Sequence, residues 1–280
     1  MTQYDTHDAI GGPDAADGAE PHETGPLSVD DMTLETGDAA VTDHEPSEGC
    51  ESSEDYEPPE EDDPFQDGDM TLEDIQAAYA RYAPWVDRLG WLDHLFTGRY
   101  RRRQFARADG RVLDVACGPG TNVRYLPAGT EIVGIDISDP LLEQARAALD
   151  TLEREGTVAR MDAQALEFED DSFETVISSF STCTFPDPVA ALREMGRVCR
   201  PDGEILLLEH GRSDNPLIAR YQEWRADAHY EKSGCRLTQE PLEVVRRAGL
   251  SVTEVETAQF GRLTRLVCDP FDGNRPEGDR

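Results

Sequence analysis

Leu113-Asp114-Val115-Ala116-Cys117-Gly118-Pro119-Gly120 is the stretch that decides how this chain folds. It starts as a short apolar strand, Val112–Val115, and runs directly into a turn. Gly118 and Gly120 lack a Cβ, so the backbone there can bend sharply and come close to a ligand. A second apolar run, Ile132–Ile137, carries Asp136 near its end, 22 residues after Asp114. A carboxylate in that place can accept two hydrogen bonds from ribose hydroxyls. A helix expected over Asn122–Leu126 would add the free N–H groups of its first turn, which suit a carboxylate or phosphate. Up to this point the pattern describes any nucleoside or dinucleotide site.

Strands and helices alternate outward from this loop. Further strands are expected at Val158–Met161, Thr175–Ser179 and Glu204–Glu209, as short apolar runs suited to a sheet buried on both faces. Helices are expected at Pro140–Arg154 and Pro188–Val198. Such alternation predicts a parallel sheet with right-handed crossovers. Helices over Pro216–Tyr230 and Gln239–Ala248 follow, then a hairpin of Ser251–Ala258 and Leu263–Cys268 joined near Gly261. Upstream, Thr71 with Asp74 reads as a capping box. It opens a helix over Ile75–Leu89 with Ile75, Ala78, Tyr79, Tyr82, Val86 and Leu89 at helical spacing. A second amphipathic piece, Trp91–Phe105, ends in Arg99, Arg101, Arg102 and Arg103, read as a solvated helix end. The expected fold is therefore α/β: a Rossmann-like, seven-stranded, mostly parallel sheet with an antiparallel C-terminal hairpin strand and helices on both faces.

The charge is unevenly placed. Of 59 acidic residues 23 fall in residues 1–70, with none of the 26 basic ones, which leaves 36 against 26, or -10, for the remainder of a chain whose net charge is -33. Residues 1–69 lack hydrophobic periodicity and read as a disordered acidic tail, because they cannot bury enough surface to offset the entropy of ordering. Within it Asp31-Met32-Thr33-Leu34-Glu35 recurs as Asp69-Met70-Thr71-Leu72-Glu73. Residues 70–270 form the folded domain, and 271–280 a disordered C-terminal tail. Lys232 is the only lysine. An acidic surface nearly free of lysine suits a salt-rich, halophilic cytoplasm, where screening weakens self-repulsion. The acidic balance disfavours nucleic acid as a partner. The six cysteines include no C-x-x-C pair, so no metal site and no redox dithiol is expected. No apolar stretch approaches the roughly 20 residues of a membrane span, and the polar N-terminus does not read as a signal peptide. A cytoplasmic protein is expected, with peripheral membrane contact left open.

Two features narrow the ligand. A dinucleotide fingerprint starting at Gly118 needs Gly or Ala at position 123, where this chain has Val123, and starting at Ala116 loses its first glycine. Asp114 is out of place beside a pyrophosphate and suits a cationic, zwitterionic ligand such as the methionine part of S-adenosylmethionine (SAM). Asp162 supplies a third acidic strand end.

Over about residues 72–270 the chain resembles the class I SAM-dependent methyltransferases. Leu113–Gly120 matches their first motif, with Ala116 where many members have Gly. Within the class it resembles the branch of quinone C-methyltransferases and phosphatidylethanolamine N-methyltransferases, the methyltransferase type 11 domain. Tyr79-Ala80-Arg81-Tyr82-Ala83-Pro84-Trp85 is similar to that branch's N-terminal signature, and Arg200-Pro201-Asp202-Gly203 to its turn before strand five. Leu208-Glu209-His210 and Gly234-Cys235-Arg236-Leu237-Thr238 also resemble thiol methyltransferases of microsomal membranes. The resemblance implies SAM as cofactor and roles for nine residues. Asp114, Gly118 and Gly120 would hold the methionine moiety; Asp136 would bind ribose, with Ile137 on the adenine face. Asp162 and Ala163 would meet the adenine edge, Ser179 would lie near the methyl group, and Tyr79 would close over the cofactor.

The sulfonium methyl is already activated, so alignment matters most and a general base is needed only for a protonated nucleophile. Ser181, Thr182 and Cys183 follow strand four; Glu209 and His210 end strand five. His210 is the base candidate, since it titrates near neutral pH, and Cys183 reads as a small buried residue rather than a nucleophile. Together with the first helix, Leu217, Ile218, Tyr221, Trp224 and Tyr230 could roof an apolar pocket for a small-molecule or lipid-like acceptor: a quinol, a phospholipid amine or a thiol. The alternatives are a non-catalytic SAM-binding scaffold with an acidic interaction tail, and a nicotinamide oxidoreductase, the latter weakened by Val123.

Overall fold

The computed structural model describes residues 70–271, with residues 80–93 as backbone only. The acidic tail, the first copy of the repeated pentapeptide, residues 272–280, and the side chains of Tyr82, Val86, Leu89 and Trp91 lie outside the described residues.

Seven strands, β1 (Arg111–Val115), β2 (Glu131–Asp136), β3 (Gly156–Arg160), β4 (Phe173–Ser179), β5 (Cys199–His210), β6 (Ser251–Ala258) and β7 (Leu263–Asp269), form one sheet in the order β3-β2-β1-β4-β5-β7-β6. The first five run parallel, and β7 is antiparallel to both β5 and β6. The expected architecture is therefore present. Its central strands are buried along their middles: Leu113, Val115, Val176, Ile177, Ile205 and Leu207 are fully enclosed. Two helices, α2 (Asp139–Thr151) and α3 (Pro188–Val198), cross between parallel strands, and α3 is capped by Asp187 accepting from the Ala190 N–H at 2.9 Å. The strand order reverses between β1 and β4, which opens a crevice above the carboxyl ends of these strands.

Three local expectations need correction. The two upstream helical pieces are one helix, α1 (Leu72–Phe105), that runs through Pro84 and Gly90. Helix nucleation is costly and propagation is not, so joining two pieces is cheaper than starting a second. The capping box is present: Thr71 Oγ1 accepts from the Asp74 N–H at 3.2 Å, and Asp74 accepts from the Thr71 N–H at 3.1 Å. The Arg200–Gly203 turn is absorbed into the start of β5, where the register against β4 jumps from Phe173–Cys199 to Thr175–Glu204. The third correction bears on the site. The helix expected over Asn122–Leu126 is only a 3-10 turn, Val123–Tyr125.

Pro127 ends that turn and Arg154 replaces the missing helical bonds. The Arg154 guanidinium donates to the carbonyls of Val123 (3.1 Å), Leu126 (2.9 Å) and Pro127 (2.6 Å), and to Thr130 Oγ1 at 2.9 Å. One side chain from beyond α2 thus fixes the segment that follows the glycine loop. Arg154→Met leaves these acceptors without a charged donor, and a loss of roughly 2–3 kcal/mol in urea unfolding is expected; an unchanged midpoint would show the turn to be held by something else.

Candidate active site

The glycine loop is built to lie on β2. The Cys117 N–H donates to the Ile135 carbonyl at 2.8 Å, and Gly118 N–H to Asp136 Oδ2 at 2.9 Å. Three loop residues are left-handed: Ala116 (φ 54), Gly118 (φ 54) and Gly120 (φ 75). Ala116 holds this conformation at some cost, because a Cβ crowds the carbonyl there. Gly120 is constrained twice, since a Cβ would also sit 3.1 Å from the Ala145 backbone of α2. At Gly118 a Cβ would meet nothing within 4 Å, because this residue faces open space.

That space is a cavity of about 1020 Å³ over the carboxyl ends of β1 to β4. Its wall brings together Tyr79, Gly118, Gly120, Asp136, Ile137, Asp162, Ala163 and Ser179, eight of the nine residues singled out from the sequence. Asp136 is fixed by backbone donors on each oxygen, Gly118 N–H on Oδ2 and Ser138 N–H on Oδ1 (2.9 Å each), and burial raises its pKa. Asp162 accepts from the Gln164 N–H at 2.9 Å and from its side-chain amide at 3.1 Å. The Tyr79 hydroxyl is hydrogen-bonded to Thr184, and burial drives its pKa upward.

Asp114 stands behind this wall. It is 1% exposed, and Asn122 Nδ2 donates to its two oxygens at 3.0 and 3.2 Å. Asn122 Oδ1 in turn accepts from Arg101, whose guanidinium also donates to Ser179 Oγ at 2.6 Å and lies over the Phe180 ring. Arg101 lines the cavity and is only 5% exposed, so it is not part of a solvated helix end. The sequence carried a signal for it: Arg101 lies one helical turn before Phe105, which is fully buried. Asn122 had no such signal beyond its place after the loop.

His210 also lies off the cavity wall. Its Nε2 faces two thiols, Cys183 Sγ at 3.0 Å and Cys235 Sγ at 3.2 Å, and its ring stacks on Phe180. Phe180, left-handed at φ 55, thus lines the cavity and stacks on the histidine that faces these thiols. Of the residues expected to roof an apolar pocket, none is on the wall: Leu217 and Trp224 point outward, 79% and 74% exposed. The first helix does contribute, through Leu72 and Ile75, and Phe180, Phe185 and Pro186 add further apolar wall.

A doubly wound sheet with this strand order, a glycine loop and an acidic β2 end beneath one large cavity defines a nucleoside-cofactor enzyme of the class I methyltransferase type. Residues 113–207 match the methyltransferase domain family. The chain is 32% identical over 195 residues to a phosphatidylethanolamine N-methyltransferase of Cereibacter sphaeroides, a match covering 65% of this chain and 94% of that protein. It is 30% identical over 164 residues to a demethylmenaquinone methyltransferase of Lactiplantibacillus plantarum, covering 55% and 69%. A SAM-dependent methyltransferase of Thermotoga maritima shares the fold, with a TM-score of 0.56 at 19% identity over 70% of this chain and 99% of that one. The chain belongs to the class I SAM-dependent methyltransferases, and its cofactor is SAM.

The buried Asp114 gives the site a pH signature. Burial raises its pKa from the ordinary 3.8 to about 7, against the opposing pull of Asn122 and Arg101. A carboxyl that holds its proton more tightly when folded contributes stability fully below its unfolded pKa, and loses that contribution as pH rises through the folded one. Between about pH 4 and 7 the stability of the wild type should therefore fall relative to Asp114→Asn, read as thermal midpoints across pH. Parallel curves for the two proteins would contradict a buried, proton-retaining Asp114.

Proposed function

We propose that the enzyme methylates a lipid-like acceptor, with a phospholipid amine as the first candidate and a quinol as the second. The observation that carries this reading is the cavity. Its volume lies at the upper end of the roughly 300–1,000 Å³ usual for ligand sites, and its α1 side is apolar. The similarity to the Cereibacter sphaeroides protein, which covers nearly all of that protein, favours the amine.

In this reading Asp136 keeps a free lone pair on each oxygen for the ribose hydroxyls. Ile137 packs on the adenine face, and Asp162 and Ala163 meet its edge. Gly118 and Gly120 give the methionine end close access to the loop backbone, with Ser179 beside it. Arg101 supplies a cation for the methionine carboxylate, and Asp114 acts through Asn122 by holding Arg101 in place. Tyr79 closes the cofactor side. SAM supplies an electrophilic methyl group on sulfur, so the chain's own task is to align the acceptor and exclude water. A phospholipid amine is an ammonium near neutral pH and must give one proton to solvent before its nitrogen can accept the methyl group; no side chain is assigned to take that proton.

No helix among the described residues is long and apolar enough to cross a membrane. Leu217, Tyr221 and Trp224 share one exposed face of α4 (Pro216–Ser233), at positions one and two turns apart, and Leu95 and Phe96 are exposed on α1. These apolar side chains support contact with a lipid surface, from which the acceptor would be drawn. The acid excess and the single lysine support work in a salt-rich cytoplasm; the thermal midpoint should then rise with added KCl, and a falling midpoint would argue against salt adaptation.

The reading is tested with labelled SAM and three acceptors: phosphatidylethanolamine vesicles, a demethylated quinol and a small aliphatic thiol. Transfer to the vesicles is expected; transfer to the thiol alone would overturn the assignment. In the same assay Asp136→Ala should weaken SAM binding roughly 100-fold, the worth of two hydrogen bonds to a charged group at about 1.5 kcal/mol each.

A further inference from the structure

Next to Phe180, three soft or borderline donors converge from three separate elements. Cys183 lies in the 3-10 turn Thr182–Thr184 after β4, His210 ends β5, and Cys235 follows the left-handed cap Gly234 of α4. Their ligand atoms all lie within 4.8 Å of one another. Both sulfurs address the same atom, His210 Nε2. An imidazole nitrogen offers either one N–H or one lone pair, and the two cysteines also pair with each other. A cation placed among the three lets each atom use its own lone pair.

The frame around this group is rigid. The Arg236 N–H donates to the Cys183 carbonyl at 2.9 Å, and the Arg236 guanidinium to the Phe185 carbonyl at 2.7 Å. Gln239 Nε2 donates to Thr182 Oγ1 at 3.0 Å, and the fully buried Glu209 accepts from the Ser181 N–H at 3.1 Å. The Cys235 loop and the Cys183 turn are thus held against each other by bonds that do not involve the thiols. The start of α1 closes over the same place: the Met70 N–H donates to the Tyr230 hydroxyl at 3.0 Å, and a Cβ on Gly234 would meet Ile75 at 3.1 Å.

We propose that Cys183, His210 and Cys235 form a binding site for one zinc ion, with the fourth position left to water. Two cysteines and one histidine, with a water in the fourth place, are an established zinc set. With Zn–S near 2.3 Å and Zn–N near 2.0–2.1 Å, tetrahedral S···N edges are roughly 3.6 Å, so each sulfur moves outward by about half an ångström. Binding displaces the two thiol protons to solvent and leaves the ion oxidation state unchanged. The ion ties the loop after α4, and with it the start of α1, to the ends of β4 and β5. In this role His210 spends its Nε2 lone pair on the metal and is not available as the base expected from the sequence.

The test uses the full chain, produced with zinc in the medium and purified without chelators, and reads metal content by elemental analysis. About one zinc per chain is expected. Cys183→Ser and Cys235→Ser should each lower it at least tenfold, and Cys50→Ser, which leaves the three ligands intact, should not. Should the serine variants fail to fold, the wild type still decides. Cobalt exchanged into it should give the intense visible bands of tetrahedral coordination and a thiolate charge-transfer band, and a mercurial should release the zinc in stoichiometric amount. A wild type that carries no zinc above background and gives no tetrahedral cobalt spectrum would overturn the site. So would a Cys183–Cys235 disulfide found by mass spectrometry in the freshly isolated protein.

Discussion

The hydrogen bond from the Gly118 N–H to the Asp136 carboxylate is the constraint on which the site rests. It ties the loop after β1 to the end of β2, so that the glycine loop lies along the sheet edge instead of rising into the cavity. Two small residues make room for it. A Cβ at Gly134 would stand 2.9 Å from Cys117 Sγ, and one at Gly120 would press on α2. The carboxylate that receives this bond is anchored again by Ser138, so the acidic strand end is oriented before any ligand arrives. Preorganisation of this sort lowers the ordering cost of binding.

The end of β4 divides the molecule's chemistry. Ser179 belongs to the cavity and bonds Arg101, while Phe180, one residue later, turns left-handed and its ring is stacked between Arg101 and His210. A bulky side chain at positive φ is held only where its surroundings over-determine it, and such positions cluster at functional sites. Here the surroundings are a buried guanidinium on one side and an imidazole with two thiols on the other. The same β-strand end therefore serves both the cofactor wall and the group around His210.

Much of this was legible in the chain. The sheet was readable because buried parallel strands are short apolar runs and the loop after β1 has glycines where φ must be positive. Seven of the eight wall residues lie at strand ends or in the turns just after them, where a doubly wound sheet exposes chemistry; Tyr79, on α1, was singled out by the resemblance alone. What escaped reading depends on tertiary contact. The turn at Val123–Tyr125 looked helical by its own residues and is shortened by Arg154, which lies beyond α2. Arg101 sat in a run of four arginines, three of which are exposed, and only its packing distinguishes it. Cys183 and Cys235 lack any short-range spacing, and only the crossing of β4, β5 and the loop after α4 brings them to one histidine.

Calorimetric titration of the full chain with S-adenosylhomocysteine, set beside NADH, tests the central claim most directly. The geometry of Gly118, Asp136 and Asp162 predicts a single micromolar site for the homocysteine product and none for the dinucleotide. Binding of NADH, or no binding of the product at all, would contradict it.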